Sequence, residues 1–214
     1  MPKIYLLGGE NIYKRDAKDV NQHAFNEAGE SPYVLVLSWA RASFDKSYKR
    51  RKIVHDYFRF LGACFVDIID YLANKEEVEE KIAQANLIYL TGGVPSVLIE
   101  RMSKEGIDNL LRSFSGIIVG RSAGALALCK RCVITCRSNK EVKIIDGLRL
   151  VDITLKAHYK PANDDALKAF SFTDKIFAVP RGSALVYNRG CLSVINDVFY
   201  FQNGEKHILK SSVI

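Results

Sequence analysis

GIIVGRSAGALAL, residues 116–128, is the stretch from which the rest of the chain can be organised. Its first half, GIIV, is short and continuously apolar, as a strand buried on both faces of a parallel sheet is. Its last half, ALAL, is made of strong helix formers. The break between them, Gly120-Arg121-Ser122-Ala123-Gly124, fits the pattern G-x-S-x-G. That spacing suits a serine on a tight strand-to-helix turn, because small residues two before and two after keep the neighbouring backbone clear. The turn lifts the hydroxyl out of the carboxyl edge of the sheet, and the N–H of Ala123 then faces the place where an oxyanion would develop. A plain bend built from small residues would read the same way, so the chemistry depends on what the rest of the chain supplies.

Similar units lie upstream. KIYLLGG (residues 3–9), YVLVLSWA (33–40), CFVDIID (64–70) and LIYLTGG (87–93) are short apolar runs, two of them ending in a glycine pair. Helical patterns separate them. Ile53, Val54, Tyr57, Phe58 and Leu61 recur at helical spacing, and Gly62 follows as a stop. Asn74 is placed to cap a helix with Glu77 three residues on, and Pro95 suits the first turn of another. Strand-helix alternation with short connections predicts an α/β fold around a mostly parallel sheet. Beyond about residue 130 strand-like segments dominate, and Asn203-Gly204 is a hairpin turn signal. The C-terminal half is therefore expected to add antiparallel strands at one edge. No repeat, low-complexity segment or linker divides the chain, so residues 1–214 are read as a single α/β domain.

The composition, 48% hydrophobic and 26% charged in 214 residues, is that of a globular protein rather than a disordered or fibrous one. No apolar run approaches the roughly 18 residues of a membrane span, and the start lacks a signal-peptide layout, so a cytoplasmic protein without a membrane partner is expected. Five cysteines, an odd number, fit a reducing compartment. Cys129, Cys132 and Cys136 have no second cysteine or histidine pair nearby, and Cys129 and Cys132 are read along the helix after the elbow, so the three are taken as buried or incidental thiols rather than metal ligands. The net charge of +7 is densest at Lys46–Lys52. A nucleic-acid patch would look like this, but no nucleic-acid motif accompanies it, and a solvated helix face is the simpler reading.

A serine nucleophile needs a base. Of the four histidines, His23 and His55 lie upstream in polar or helical stretches, and His207 follows the hairpin turn. His158, in LKAHYKPAND, closes a strand-like run and precedes a loop, a common position for a catalytic base. A structural histidine there is the alternative. In an open parallel sheet, loops at the carboxyl ends of neighbouring strands share one crevice, so Gly92-Gly93 is expected beside the serine, with Gly93 offering a second oxyanion N–H.

Together, YLTGGVPSVLI, GRSAGA and DGLRLVDITLKAHY, in that order, resemble the aspartyl dipeptidase and cyanophycinase group of serine peptidases. The resemblance covers nearly the whole chain. It implies a flavodoxin-like three-layer sandwich, related to class I glutamine amidotransferases, with no metal and no cofactor. It also implies roles. Ser122 attacks the scissile carbonyl, His158 moves the proton, and Gly93 and Ala123 hold the oxyanion. Gly92 and, as a departure from the family, Arg181 are expected to contribute to substrate binding.

Three departures from the family pattern stand out. The acidic triad member is expected 15 to 20 residues after the serine, where this chain has CRSNKEV; Glu141 is assigned, with Asn139 and Asp146 as alternatives. Arg181 stands where relatives often carry an acid, which points toward substrates bearing acidic groups. Val94-Pro95 replaces the polar pair that usually follows the glycines. The resulting expectation is a serine hydrolase cleaving short peptides, acting as a monomer or homodimer. A weak or inactive relative that binds a small ligand or partner is the alternative, and a nucleic-acid binder rests on charge alone.

Overall fold

The computed structural model describes residues 1–41, 51–135 and 142–211. The chain begins with β1 (Lys3–Leu7), α1 (Lys18–Ala28), β2 (Tyr33–Leu37), α2 (Arg51–Phe60), β3 (Phe65–Ile69), α3 (Lys75–Gln84), β4 (Leu87–Leu90), α4 (Pro95–Glu105), α5 (Ile107–Ser113), β5 (Ile117–Arg121) and α6 (Ala123–Leu128). β6 (Cys129–Thr135), β7 (Val142–Asp146), β8 (Val151–Ala157), α7 (Asp164–Phe170), β9 (Ile176–Val179), β10 (Ala184–Asn188), β11 (Cys191–Ile195), β12 (Val198–Gln202) and β13 (Glu205–Leu209) follow.

Seven strands form the first sheet in the order β11-β10-β1-β5-β4-β2-β3. β1 to β5 pair in parallel, while β10 and β11 continue the sheet antiparallel beyond β1. Alternate residues of each strand serve opposite faces, as the pleat dictates. Tyr5, Leu7, Val34, Val36, Tyr89 and Val119 pack against α1 and α2. Ile4, Leu6, Leu35, Leu37, Leu90 and Ile118 pack with apolar residues of α3 to α6. Helices therefore cover both faces, which gives the three-layer α/β sandwich.

The remaining C-terminal strands build a second sheet, β13-β12-β9-β8-β6-β7, which the sequence reading did not separate from the first. Leu155, Ala157, Phe177 and Val179 on one of its faces join the core beneath the first sheet. Its other face carries a small cluster of Val133, Tyr159, Leu167, Ile176, Ala178 and Phe201. β6, β8 and β9 pair in parallel, whereas the β7–β6, β12–β9 and β13–β12 pairs are antiparallel.

Local signals match their elements. Asn74 accepts the N–H of Glu77 at 2.7 Å and caps α3. Pro95 opens α4, and Gly62 follows α2 at φ 107°. Asn203 and Gly204 both have positive φ between β12 and β13, as a type I′ turn requires. One detail differs. The helix after the elbow stops at Leu128, so Cys129 and Cys132 lie on β6 instead of on the helix. Their thiols donate to the carbonyls of Ala125 and Leu126, and burial raises both, Cys132 to about 12. Cys136 and residues 46–50 of the basic run lie outside the described residues. Of the described part of that run, Arg51 pairs with Asp70 and Lys52 with Asp56.

Candidate active site

Ser122 sits between β5 and α6 at φ 53°, ψ −105°, a backbone conformation that non-glycine residues rarely adopt. Strain of this kind persists only where the surroundings fix it. The Ser122 N–H donates to the carbonyl of Leu7 at 2.9 Å, and its own carbonyl accepts from Leu126 at 2.9 Å. The flanking glycines are required by space. A Cβ at Gly120 would meet the backbone of Gly124 and Ala125, and one at Gly124 would meet the backbone and Cβ of Leu90. The close approach of β5 to its following helix and to β4 therefore accounts for both glycines of the pattern.

His158 comes to the serine from the second sheet, immediately after β8. Its Nε2 lies 2.7 Å from the Ser122 Oγ, across 36 residues of sequence. Ser122 is half-buried and His158 exposed, so the pair is open to a ligand. With Nε2 accepting the serine hydroxyl, we assign the ring proton to Nδ1. That edge of the ring lies over Gly9, whose φ is 149° and where a Cβ would collide with Nδ1 and Cε1. The His158 N–H donates to the Gly8 carbonyl at 2.8 Å. Leu7, Gly8 and Gly9 thus brace both members of the pair. Gly8 and Gly9 are tied in turn to the turn after β9, through Gly8 N–H to Ser183 O and Gly182 N–H to Gly9 O, both at 3.0 Å. The sequence reading did not single out these glycines. The available signal was a glycine pair closing a strand, the same signal that drew attention to Gly92-Gly93.

The other histidines are engaged elsewhere. His23 bonds the Tyr5 hydroxyl at 2.8 Å, His55 faces Asp56, and His207 stacks on Tyr200. Gly92 lies beside the elbow, where a Cβ would stand 3.4 Å from Ser122 Cβ. Gly93 packs on the backbone of Ala40 and lines the cleft; Ala123, fully buried, begins α6. Glu141 and Asn139 lie outside the described residues. Asp146 is exposed on the edge strand β7, opposite Arg131, which also pairs with Thr154. His158 lies four residues beyond Thr154, roughly 13 Å along the strand direction, so the sheet does not deliver Asp146 to the imidazole.

The cleft above the pair has a volume of about 510 Å³ and is lined by Gly93, Ser122, Lys156, His158, Lys160 and Arg181, with Val133, Ile134 and Thr135 on one wall. Arg181 is half-exposed, and its guanidinium is 3.7 Å from Asp16. Lys156 is 5% exposed, and burial lowers its amine to about 8. The folded chain holds this proton less tightly than an unfolded one, so protonation weakens the fold below about pH 8 and stability rises as pH climbs toward 10.5. Behind the elbow, Arg121 is buried over the Tyr89 ring. The Glu10 carboxylate accepts from Tyr89 and Asn21, both at 3.1 Å. Burial raises Glu10, and the Arg121 charge opposes the rise.

Fold and elbow place the molecule among α/β proteins whose site lies at the carboxyl edge of a parallel sheet. Residues 4–195 match the model of peptidase family S51, and the chain belongs to that family. No curated protein matches it. Among solved structures it is similar to a peptidase from an acI-B1 Actinobacterium, with TM-score 0.73 and 18% identity over 99% of this chain and 95% of that one. It is also similar to a protein assigned to peptidase E from Listeria monocytogenes EGD-e, with TM-score 0.69 and 20% identity over 91% of this chain and 98% of that one. At these identities the likeness is one of fold. Among the described residues no helix is long and apolar enough to cross a membrane.

Proposed function

We propose that this chain is a serine-type peptidase acting on short peptides, in the manner of an aspartyl dipeptidase. The observation that carries the reading is the 2.7 Å contact between Ser122 Oγ and His158 Nε2 on an open cleft. His158 removes the hydroxyl proton as Ser122 attacks the scissile carbonyl, and the imidazolium then protonates the leaving amine. The N–H groups of Gly93 and Ala123 receive the oxyanion. Water repeats the sequence on the acyl-enzyme, and the serine is restored. Glu141 is the acid that supports the imidazolium in this reading. Such an acid contributes up to about 10⁴-fold where it completes a triad.

The 510 Å³ cleft suits a short chain rather than a folded protein. Its lining cations favour substrates with acidic groups, and Arg181 is one of them. A fluorophosphonate should label the wild-type chain at Ser122, and Ser122→Ala should abolish labelling while the fold persists. An unlabelled wild-type serine in a folded chain would replace the hydrolase reading by that of a binding protein. Arg181→Glu should lower the rate on acidic dipeptides relative to neutral ones; an unchanged ratio would remove Arg181 from substrate selection.

A further inference from the structure

We infer that Lys156 is the specificity-determining cation of this cleft and binds a carboxylate of the substrate, an inference that rests on reading the cleft as the substrate site. Lys156 is the penultimate residue of β8, two residues before His158, and lines the same cavity as Ser122. It is 5% exposed, which is unusual for a lysine. Its register partner on β9 is Ala178, a member of the apolar cluster that also contains Val133. Apolar neighbours of that kind do not repay the burial of an ammonium.

Nor is a counter-ion supplied by the described residues. The Lys156 amine donates to the neighbouring Ala157 carbonyl at 2.7 Å, and no ion pair to it is formed among them. An ammonium has three donors, so two remain for a ligand. Asp174 lies near Thr154, two residues back on the same face of the strand, but it is already engaged. It accepts from the Thr154 hydroxyl at 2.6 Å and from Arg131 at 3.0 Å. The other cleft cations differ from Lys156. Lys160 is exposed, and Arg181 is half-exposed beside Asp16. A charge kept in a low-dielectric wall acts more strongly on a bound anion than one at the rim. Two residues of strand, roughly 7 Å, separate it from the imidazole position, so the carboxylate it holds belongs to a group close to the scissile bond.

That carboxylate is either an acidic side chain or the free C-terminus of a short peptide, and four ligands separate the two. Binding of Asp-Leu, Asn-Leu and the C-terminal amide of each is measured by calorimetry in Ser122→Ala, where turnover plays no part, and again after adding Lys156→Met or Lys156→Arg. Lys156→Met should weaken the ligands that carry the recognised carboxylate by about 10- to 100-fold and leave the matched analogue without it unchanged. Lys156→Arg should restore part of the loss. Lost preference for Asp over Asn assigns the side chain; lost preference for acid over amide assigns the terminus. Equal weakening of all four ligands, no weakening, or no binding of any overturns the assignment. Fluorophosphonate carries no carboxylate, so Ser122 should still be labelled in the single variant Lys156→Met. Absent labelling there would make Lys156 a group serving the serine and would also overturn the assignment, whereas failure of the nucleophile reading shows as absent labelling in the wild type.

Discussion

Two glycine pairs flank the elbow, one at each neighbour of β5. Gly8-Gly9 follows β1 on one side, and Gly92-Gly93 follows β4 on the other. In sequence they look alike, each closing a short apolar strand. In the structure they do different work. Gly8-Gly9 holds the pair itself: its carbonyl anchors His158, its missing side chain makes room for the imidazole, and the preceding Leu7 carbonyl anchors Ser122. Gly92-Gly93 borders the cleft, and its close packing is against Ala40. Identical local signals therefore acquire different surroundings from what the topology brings over them, an imidazole from the second sheet in one case and an open cleft in the other.

The largest effect should come from Gly9→Ala. Its φ of 149° strains any side chain, and the new Cβ would occupy the space of the His158 ring. Displacing the imidazole we propose as general base should lower kcat/KM by about 10³-fold, within the usual range for acid-base catalysis. Thermal melting should show the fold retained. Wild-type turnover would break the comparison, because it would mean that the ring does not depend on this glycine.

Gly93→Ala comes next. The added methyl would meet the Ala40 carbonyl and its carbon, and backbone atoms cannot swing aside as a side-chain tip can. The segment after β4 must shift, taking the Gly93 N–H with it. Loss of one oxyanion donor costs about 10²-fold or somewhat more, so kcat should fall by that order with KM little changed. A rise in KM with kcat unchanged would assign Gly93 to substrate binding alone and sharpen the contrast with Gly9.

How much of this was legible beforehand follows from the kind of signal each part leaves. The five parallel strands and their helices leave local ones: apolar runs, the cap at Asn74, the proline at Pro95 and the break at Gly62. The elbow is legible because strain and small flanking residues must be encoded within five positions. The second sheet is not, because β6 to β9 look like edge additions until it is known which core their apolar faces join, and Leu155 and Phe177 join the shared one. The placement of Gly9 under His158 is a contact between segments about 150 residues apart, and neither segment alone signals it. Lys156 leaves no sequence mark either, since a lysine on a strand reads as a solvated residue until its burial is seen.

The smallest effect should come from Gly92→Ala, and it discriminates because of that. Gly92 is next to Ser122 in space and is the residue we propose for substrate binding beside the oxyanion donor Gly93, so proximity alone would forecast a large loss. The distances argue otherwise. A Cβ there would stand 3.4 Å from Ser122 Cβ and from Arg121 Nε, and 3.5 Å from the Arg121 carbonyl, at the near edge of ordinary van der Waals contact. Nothing need move, and the backbone does not require a positive φ at this residue. Activity on a small peptide should therefore stay within about threefold of wild type, since overpacking costs arise only where neighbours must shift. A substrate with a larger leaving residue should suffer more than a small one if the methyl projects into the substrate path. Equal, severe loss for every substrate would mean that Gly92, like Gly9, serves the serine and histidine directly, and the division of labour between the two glycine pairs would no longer hold.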